Sequence, residues 1–288
     1  MSVSSVSAPR RPALRYFGGK WRLAPWIISN FGEHTTYVEP YCGAASVFLR
    51  KEPSPIEVIN DMDDDVVNFF RVLREQPDEL VRLIQFTPFS RKEFQLAFQP
   101  AERSPLEKAR AFYIRCWQAY GGRRSSMTGW RTGARGQNKK ASVVRDWNNT
   151  DHLFTIANRL KDAHIEHSPA LDVIKKYDGP ETLFYVDPPY PRTVRSERWS
   201  TEAYRHEMTD RDHEDLAALL HTLQGKVIVS TIACPLYDHL FEGWGRKTKG
   251  AYTGMGAGGH GRQYDELLLI SPETKPVRND LGMQKVML

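Results

Sequence analysis

Residues 184–191 read FYVDPPYP, and this stretch decides the fold. The run from Leu183 to Val186 is aliphatic and aromatic throughout, as a strand buried on both faces requires. A strand needs backbone donors; Pro188 and Pro189 have none, so the ladder ends before them. Asp187 then stands at the carboxyl end of a buried strand, on a backbone stiffened by two prolines. In open α/β sheets, ligands bind outside the carboxyl ends of the strands. Asp187, Pro188, Pro189 and Tyr190 are therefore candidate site residues.

The chain on either side supports a sheet of that kind. TYVEPYCGAASVFL predicts a short strand, Thr36 to Val38, a turn, and a helix from about Ala44. IEVINDMDDDVVNFFRVLRE predicts a second strand, Ile56 to Ile59, an acidic turn and a helix. Two β-turn-α units in succession favour parallel pairing. Helical periodicity then runs through PDELVRLIQF, SRKEFQLAF and SPLEKARAFYIRCWQAY. In the last of these, Ser104 can cap, Pro105 suits the first turn, and Glu107 can close a capping box. Residues 121–141 turn to Gly, Arg, Ser, Asn and Lys, the composition of a long loop or loose hairpin. A helix resumes near Asn149. The β/α pattern returns with the strand before Asp187, a helix in DRDHEDLAALLHTL, the strand KVIVST and a last strand closing at about Ile270. The expected architecture is thus α/β, half a sheet on each side of a helical insertion. The expected boundaries are a catalytic domain of residues 13–75 and 165–271, an insertion of 76–164, and tails of 1–12 and 272–288.

Charge is uneven. The 288 residues carry a net charge of +5, yet residues 101–150 hold eleven Lys and Arg against three acids, a net +8. No acid occurs between Lys108 and Arg145, and Trp117, Tyr120 and Trp130 lie within that block. A one-sign block with interleaved aromatics points to a polyanion partner rather than a merely solvated surface. Cys42, Cys116 and Cys234 give neither a disulfide framework nor a zinc spacing, which fits a reducing cytoplasm. The opening MSVSSVSAPRRP lacks the apolar core of a signal peptide, and no apolar run reaches the length of a membrane span.

The turn EPYCGAAS, residues 39–46, joins a strand to small residues that let a ligand approach the backbone closely. One glycine, Gly43, flanked by Ala44 and Ala45, supports a pyrophosphate cradle weakly. A nucleoside carrying an amino acid suits the turn equally well. Asp61 closes the second strand, where an acid commonly accepts from both ribose hydroxyls. Asp64 and Asp65 read instead as acids complementing a helix dipole. At DPPY, a carboxylate and neighbouring carbonyls face one point. Two acceptors aimed at an exocyclic amine draw its lone pair out of conjugation and make the nitrogen nucleophilic. Tyr190 adds a stacking face, worth roughly 1–3 kcal/mol per base.

YFGGK at 16–20, EPYCGAASVF at 39–48, IND at 59–61 and DPPY at 187–190 occur together in that order. The chain in this respect resembles the Dam-type DNA adenine N6-methyltransferases, across its two outer portions. The resemblance implies a Rossmann-like class I methyltransferase sheet with an inserted, mostly helical target-recognition domain. It implies S-adenosyl-L-methionine as cofactor and double-stranded DNA as partner. Tyr16 and Lys20 would close over the methionine end of the cofactor. Glu39, Pro40, Tyr41, Cys42, Gly43, Ala44, Ala45 and Ser46 would form the cofactor turn. Asp61 would bind the ribose and Asp172 would lie near the adenine. Asp187, flanked by Pro188, Pro189 and Tyr190, would grip the target amino group, and no metal is called for. The family often has glycine where this chain has Ala45.

In the insertion, Arg123, Arg124, Arg131, Arg135, Lys139 and Lys140 are expected to grip phosphates or read guanine edges. Arg192 and Arg195, with Arg198, are expected beside a flipped base. Tyr204 shapes that loop, and His213 reads as a surface helix histidine. Cytosine N4-methylation uses the same acceptor geometry, so DPPY alone leaves it open, as it leaves open a non-catalytic DNA-binding protein. Methylation of a protein glutamine would call for Asn in place of Asp187. A monomer suffices to modify one strand at a time. A cognate restriction endonuclease is an optional partner of such enzymes.

Overall fold

The computed structural model describes residues 9–119, 129–131, 143–194, 205–252 and 263–272. Its centre is a seven-stranded sheet in the order β3-β2-β1-β4-β5-β7-β6. The strands are β1 (Thr36–Glu39), β2 (Ile56–Asn60), β3 (Ala163–Glu166), β4 (Thr182–Val186), β5 (Lys226–Ile232), β6 (Gly245–Tyr252) and β7 (Gln263–Ile270). Strands β1 to β5 pair in parallel, and β7 joins antiparallel to both β5 and β6. Every residue of β4 is buried, as its unbroken apolar sequence requires. Alternate residues serve opposite faces: Leu183, Tyr185, Ile228 and Leu268 pack on one side, and Phe184, Val186, Val227 and Leu269 on the other.

The first face is covered by α2 (Asp64–Glu75) and by the inserted helices α3 (Pro77–Gln85), α4 (Arg91–Phe98), α5 (Pro105–Gln118), α6 (Val143–Asn148) and α7 (His152–Arg159), with α1 (Ala24–Ile28) beside them. The second face is covered by α8 (Ala170–Lys176), α9 (Asp210–Leu220) and α10 (Pro235–Leu240). The insertion therefore shares one apolar core with the sheet. Phe69 of α2 stacks on Tyr113 of α5 at 6.1 Å, and Trp147 of α6 packs on the same tyrosine at 5.4 Å.

Three expectations need correction, and one strand was not anticipated. Residues 43–50 form successive turns and no regular helix, because Gly43 and Ala45 are both left-handed (φ 49° and 50°). The Phe48 amide, moreover, donates to the Glu39 carboxylate and makes no helical bond. Ser104 caps α5 through the Glu107 amide and Pro105 opens the helix, but the Glu107 carboxylate turns to Arg110 and closes no capping box. A capping box forms instead at Thr209 and Asp212, where α9 begins. Arg11 is docked rather than loose, donating to the Asn149 carbonyl at 2.7 Å and pairing with Asp146 at 2.9 Å. Finally, β6, whose GRKTKGAY carries two lysines and an arginine, is a sheet-edge strand where charge blocks further pairing.

Candidate active site

Strand order reverses between β1 and β4, so the chain leaves their carboxyl ends toward opposite sides and opens a crevice there. The turn after β1 forms one wall of that crevice, and Asp187, directly after β4, forms the other. A small, solvent-open cleft lies between them.

The β1 turn is held from below by the IND segment. Asn60, fully buried, donates through its amide to the carbonyls of Pro40 and Ser168, and its oxygen accepts from the Ser168 amide. The Asn60 carbonyl accepts from the Cys42 amide at 2.8 Å. Asp61 accepts from the amides of Gly43 at 2.8 Å and Asp63 at 2.9 Å. A carboxylate accepts along about four lone-pair directions, so the same group that holds these amides can also accept from hydroxyl donors. Asp63 caps α2 by accepting from the Asp65 amide, and Asp64 and Asp65 occupy the first turn, as the dipole argument expects.

Behind the turn, Phe48 is clamped from two directions. Its amide donates to Glu39, and its carbonyl accepts from Arg159 of α7 at 3.1 Å. Arg159 also lies over the Phe48 ring and makes a two-pronged contact with Glu57 of β2, which Lys51 approaches from the other side. Burial pushes the Glu39 carboxyl up to about 8, against the pull of the Tyr37 hydroxyl and the Phe48 amide.

The YFGGK segment forms the roof. The Tyr16 ring rests on Gly43 so closely that a methyl group there would come within 2.9 Å of it. The Lys20 ammonium sits 2.9 and 2.8 Å from the two Asp187 oxygens, 3.0 Å from the Gly18 carbonyl and 4.9 Å from the centre of the Tyr190 ring. The Tyr190 hydroxyl donates to Glu266 of β7 at 2.6 Å. Burial pushes the Asp187 carboxyl up to about 6; Lys20 pulls it back and Glu266 adds to the rise.

Of the residues chosen from sequence, Tyr16, Lys20, Tyr41 and Cys42 line the cleft, as do Gly43, Ala44, Ser46 and Asp187. Glu39, Pro40 and Ala45 support it from behind. Pro188 and Tyr190 are buried and Pro189 half-buried beside Asp187. Asp172 lies exposed on the first turn of α8, off the lining. Arg192 is exposed just past DPPY. Arg131 is mostly buried, donating to the Trp117 carbonyl at 2.8 Å and lying 3.6 Å from Asp146. His213 is a core residue, hydrogen-bonded to Tyr237 at 3.0 Å, and not the surface histidine its helix suggested. Arg123, Arg124, Arg135, Lys139, Lys140, Arg195, Arg198 and Tyr204 lie outside the described residues. Among the contributors not chosen at all are Phe17, Gly18 and Gly19 of the lining, Asn60, Arg159 and Glu266.

The Ser46 hydroxyl is buried, faces the cleft and has no hydrogen-bond partner among the described residues. With Gly43 keeping the wall low, the Ser46 hydroxyl unpartnered and the Asp61 carboxylate beside the turn, the polar groups fit a ligand bearing hydroxyls and an amino-acid end.

The chain is 25% identical to the Type II methyltransferase M1.LlaDCHI of Lactococcus lactis subsp. cremoris, over 81% of its own length and 84% of that protein. It is 24% identical to a DNA adenine methylase of Serratia marcescens, over 96% of each chain. It is 25% identical to the DNA adenine methylase of Escherichia coli K12, over 62% of its length and 65% of that protein. Residues 16–255, from the cleft's roof to beyond β6, match the model of one family, and on that match the chain belongs to the D12 class N6 adenine-specific DNA methyltransferases.

Proposed function

We propose that the cleft holds S-adenosyl-L-methionine and that Asp187 receives the amino group of an adenine flipped out of the duplex. One observation carries this reading: the β1 turn and the DPPY carboxylate share a single cleft, so a bound cofactor and a bound base meet there. Ser46 and the backbone around Gly43 would hold the cofactor's amino-acid end, and Asp61 its ribose. Asp172 would serve the adenine ring only if the exposed start of α8 faces it. When bound, the cofactor supplies a methyl group activated on a sulfonium.

The remaining work falls to the chain. Extruding the base costs a few kcal/mol. Tyr190, its hydroxyl tied to Glu266, offers a ring that cannot rotate away. Asp187 and the adjacent Pro188 carbonyl accept the two amino hydrogens and turn the nitrogen lone pair toward the methyl group. Nitrogen gains the methyl group and loses one proton, to Asp187 or to water. Much of the acceleration comes from alignment of two bound reactants. Lys20 keeps Asp187 ionised at neutral pH, the form that accepts. The basic insertion grips the duplex through Arg123, Arg124, Arg135, Lys139 and Lys140, with Arg192 and Arg195 beside the flipped base. Arg131 is left out of that set because its guanidinium is engaged inside the fold. One chain carries both binding sites, which favours a monomer, and a DNA substrate favours the cytoplasm.

Cofactor binding measured by calorimetry tests the cradle. Ser46→Ala removes one hydrogen bond and weakens S-adenosyl-L-methionine by about two- to tenfold. Gly43→Ala does more, since it strains a left-handed position and strikes Tyr16. Unchanged affinity in both variants contradicts the assignment.

A further inference from the structure

The Lys20 ammonium poses a problem for the reaction just described. Among the described residues it donates to both oxygens of Asp187 and to the Gly18 carbonyl. A target amino group needs one of those Asp187 oxygens. Removing the cation altogether would leave a buried carboxylate unpaired, which is strongly unfavourable.

Glu266 lies beside this pair. It sits on β7, fully buried, opposite Ile232 of β5. Its Oε1 accepts from the Tyr190 hydroxyl at 2.6 Å and from the Ser230 hydroxyl at 2.5 Å. Its Oε2 is buried with no hydrogen-bond partner among the described residues. A buried carboxylate with one oxygen unused is costly unless a donor visits it. The nearest cation is Lys20, whose ammonium is 3.7 Å from Oε1, less than 1 Å beyond a charge-assisted hydrogen bond of about 2.8 Å.

We infer that Glu266 is a positioning residue for methyl transfer: it is the second seat of the Lys20 ammonium, which leans from Asp187 toward Glu266 as the adenine amino group takes the vacated Asp187 oxygen. The inference rests on the reaction assigned above. The exchange keeps the number of hydrogen bonds constant: Lys20 gives up one Asp187 oxygen and gains a Glu266 oxygen. The cation stays paired throughout, and Asp187 stays ionised while it accepts from the base. Tyr190 and Ser230 hold Glu266 still, so the seat is fixed in advance.

Glu266→Gln separates this role from simple anchoring of Tyr190. Glutamine keeps an acceptor oxygen for the two hydroxyls and removes the charge that receives Lys20. The measurements are single-turnover methylation of methylation-free genomic DNA, the affinities for cofactor and DNA, and kcat/KM against pH. The single-turnover rate falls roughly tenfold or more, short of the roughly 10²–10³-fold loss for a donor that touches the reacting group itself. Both affinities hold within about twofold. The acidic limb of kcat/KM moves to lower pH, because Glu266 no longer pushes Asp187 upward. A Lys20→Gln background abolishes the effect of the second change, since the cation that uses the seat is gone. A rate equal to wild type overturns the inference. So does a rate loss with lost DNA affinity and an unmoved pH limb, which is what a mere anchor for Tyr190 gives. If the glutamine variant does not fold, Glu266→Asp replaces it, keeping the charge but withdrawing it by one methylene. The same slowing is then expected, and a wild-type rate overturns the inference. A wild-type protein that methylates nothing overturns the underlying reaction assignment instead.

Discussion

At Glu39 a carboxyl with almost no access to water accepts from the Tyr37 hydroxyl and the Phe48 amide, and burial pushes it up to about 8. A folded-state value above the ordinary carboxyl value of 4.5 means the folded protein binds the proton more tightly than the unfolded chain does. The stabilisation is fully present below pH about 4.5 and is lost as pH rises toward about 8. Glu39→Gln keeps an acceptor for both donors and cannot ionise. Its melting temperature is therefore expected to stay flatter than wild type between pH 5 and 9, the gap at pH 9 amounting to a few kcal/mol. Parallel melting curves across that range contradict the account. At this scale the motifs told most: Gly43, Ser46, Asp61 and Asp187 are all adjacent to strand ends visible in the sequence. Glu266 was hidden, because it meets Tyr190 only through the β5–β7 pairing. One signal was available. In QYDELLLI, Glu266 shares a face with Leu268 and Ile270, and an acid at a core-facing strand position calls for a partner.

At the scale of elements, α7 reaches across the insertion to hold the turn after β1. Arg159 joins the Phe48 carbonyl to Glu57, with Lys51 as the second cation on the same carboxylate. Arg159→Met leaves Glu57 with one partner and the Phe48 carbonyl with none. Breaking a buried pair from one side costs about 3–5 kcal/mol, and Lys51 holds the loss toward the lower figure. Urea denaturation measures it, and a loss below about 1 kcal/mol, typical of exposed pairs, contradicts the burial argument. Most elements were legible from periodicity, including α3, α4 and α5. The turns at 43–50 were not, because apolar spacing in GAASVFL imitates a helix while two left-handed residues forbid one. Strand β6 was not legible either. An edge strand buries little, so its lysines, arginine and glycines carry no alternation to read.

Across the whole molecule, one sheet places the β1 turn and the Asp187 carboxylate at its switch point, and the insertion puts a strongly basic segment in the same chain. If that segment grips phosphates, Arg123→Ala with Arg124→Ala weakens DNA binding and lowers the slope of log affinity against log salt by nearly 2. An unchanged slope removes these residues from the interface. The order of the two halves and the helical insertion were readable from β/α alternation. The shared core was not, because nothing local in α5 or α6 announces that Tyr113 packs against Phe69 of α2 as well as against Trp147.

The central claim is that Asp187 directs methyl transfer to an adenine amino group. Its direct test is to incubate the protein with methylation-free genomic DNA and S-adenosyl-L-methionine, digest to nucleosides, and identify the product by mass spectrometry. The expected result is N6-methyladenine, formed at a kcat/KM that declines below pH about 6 as Asp187 protonates and reduced by at least about 10²-fold in Asp187→Ala. N4-methylcytosine as the product, or an Asp187→Ala variant as active as wild type, would contradict it.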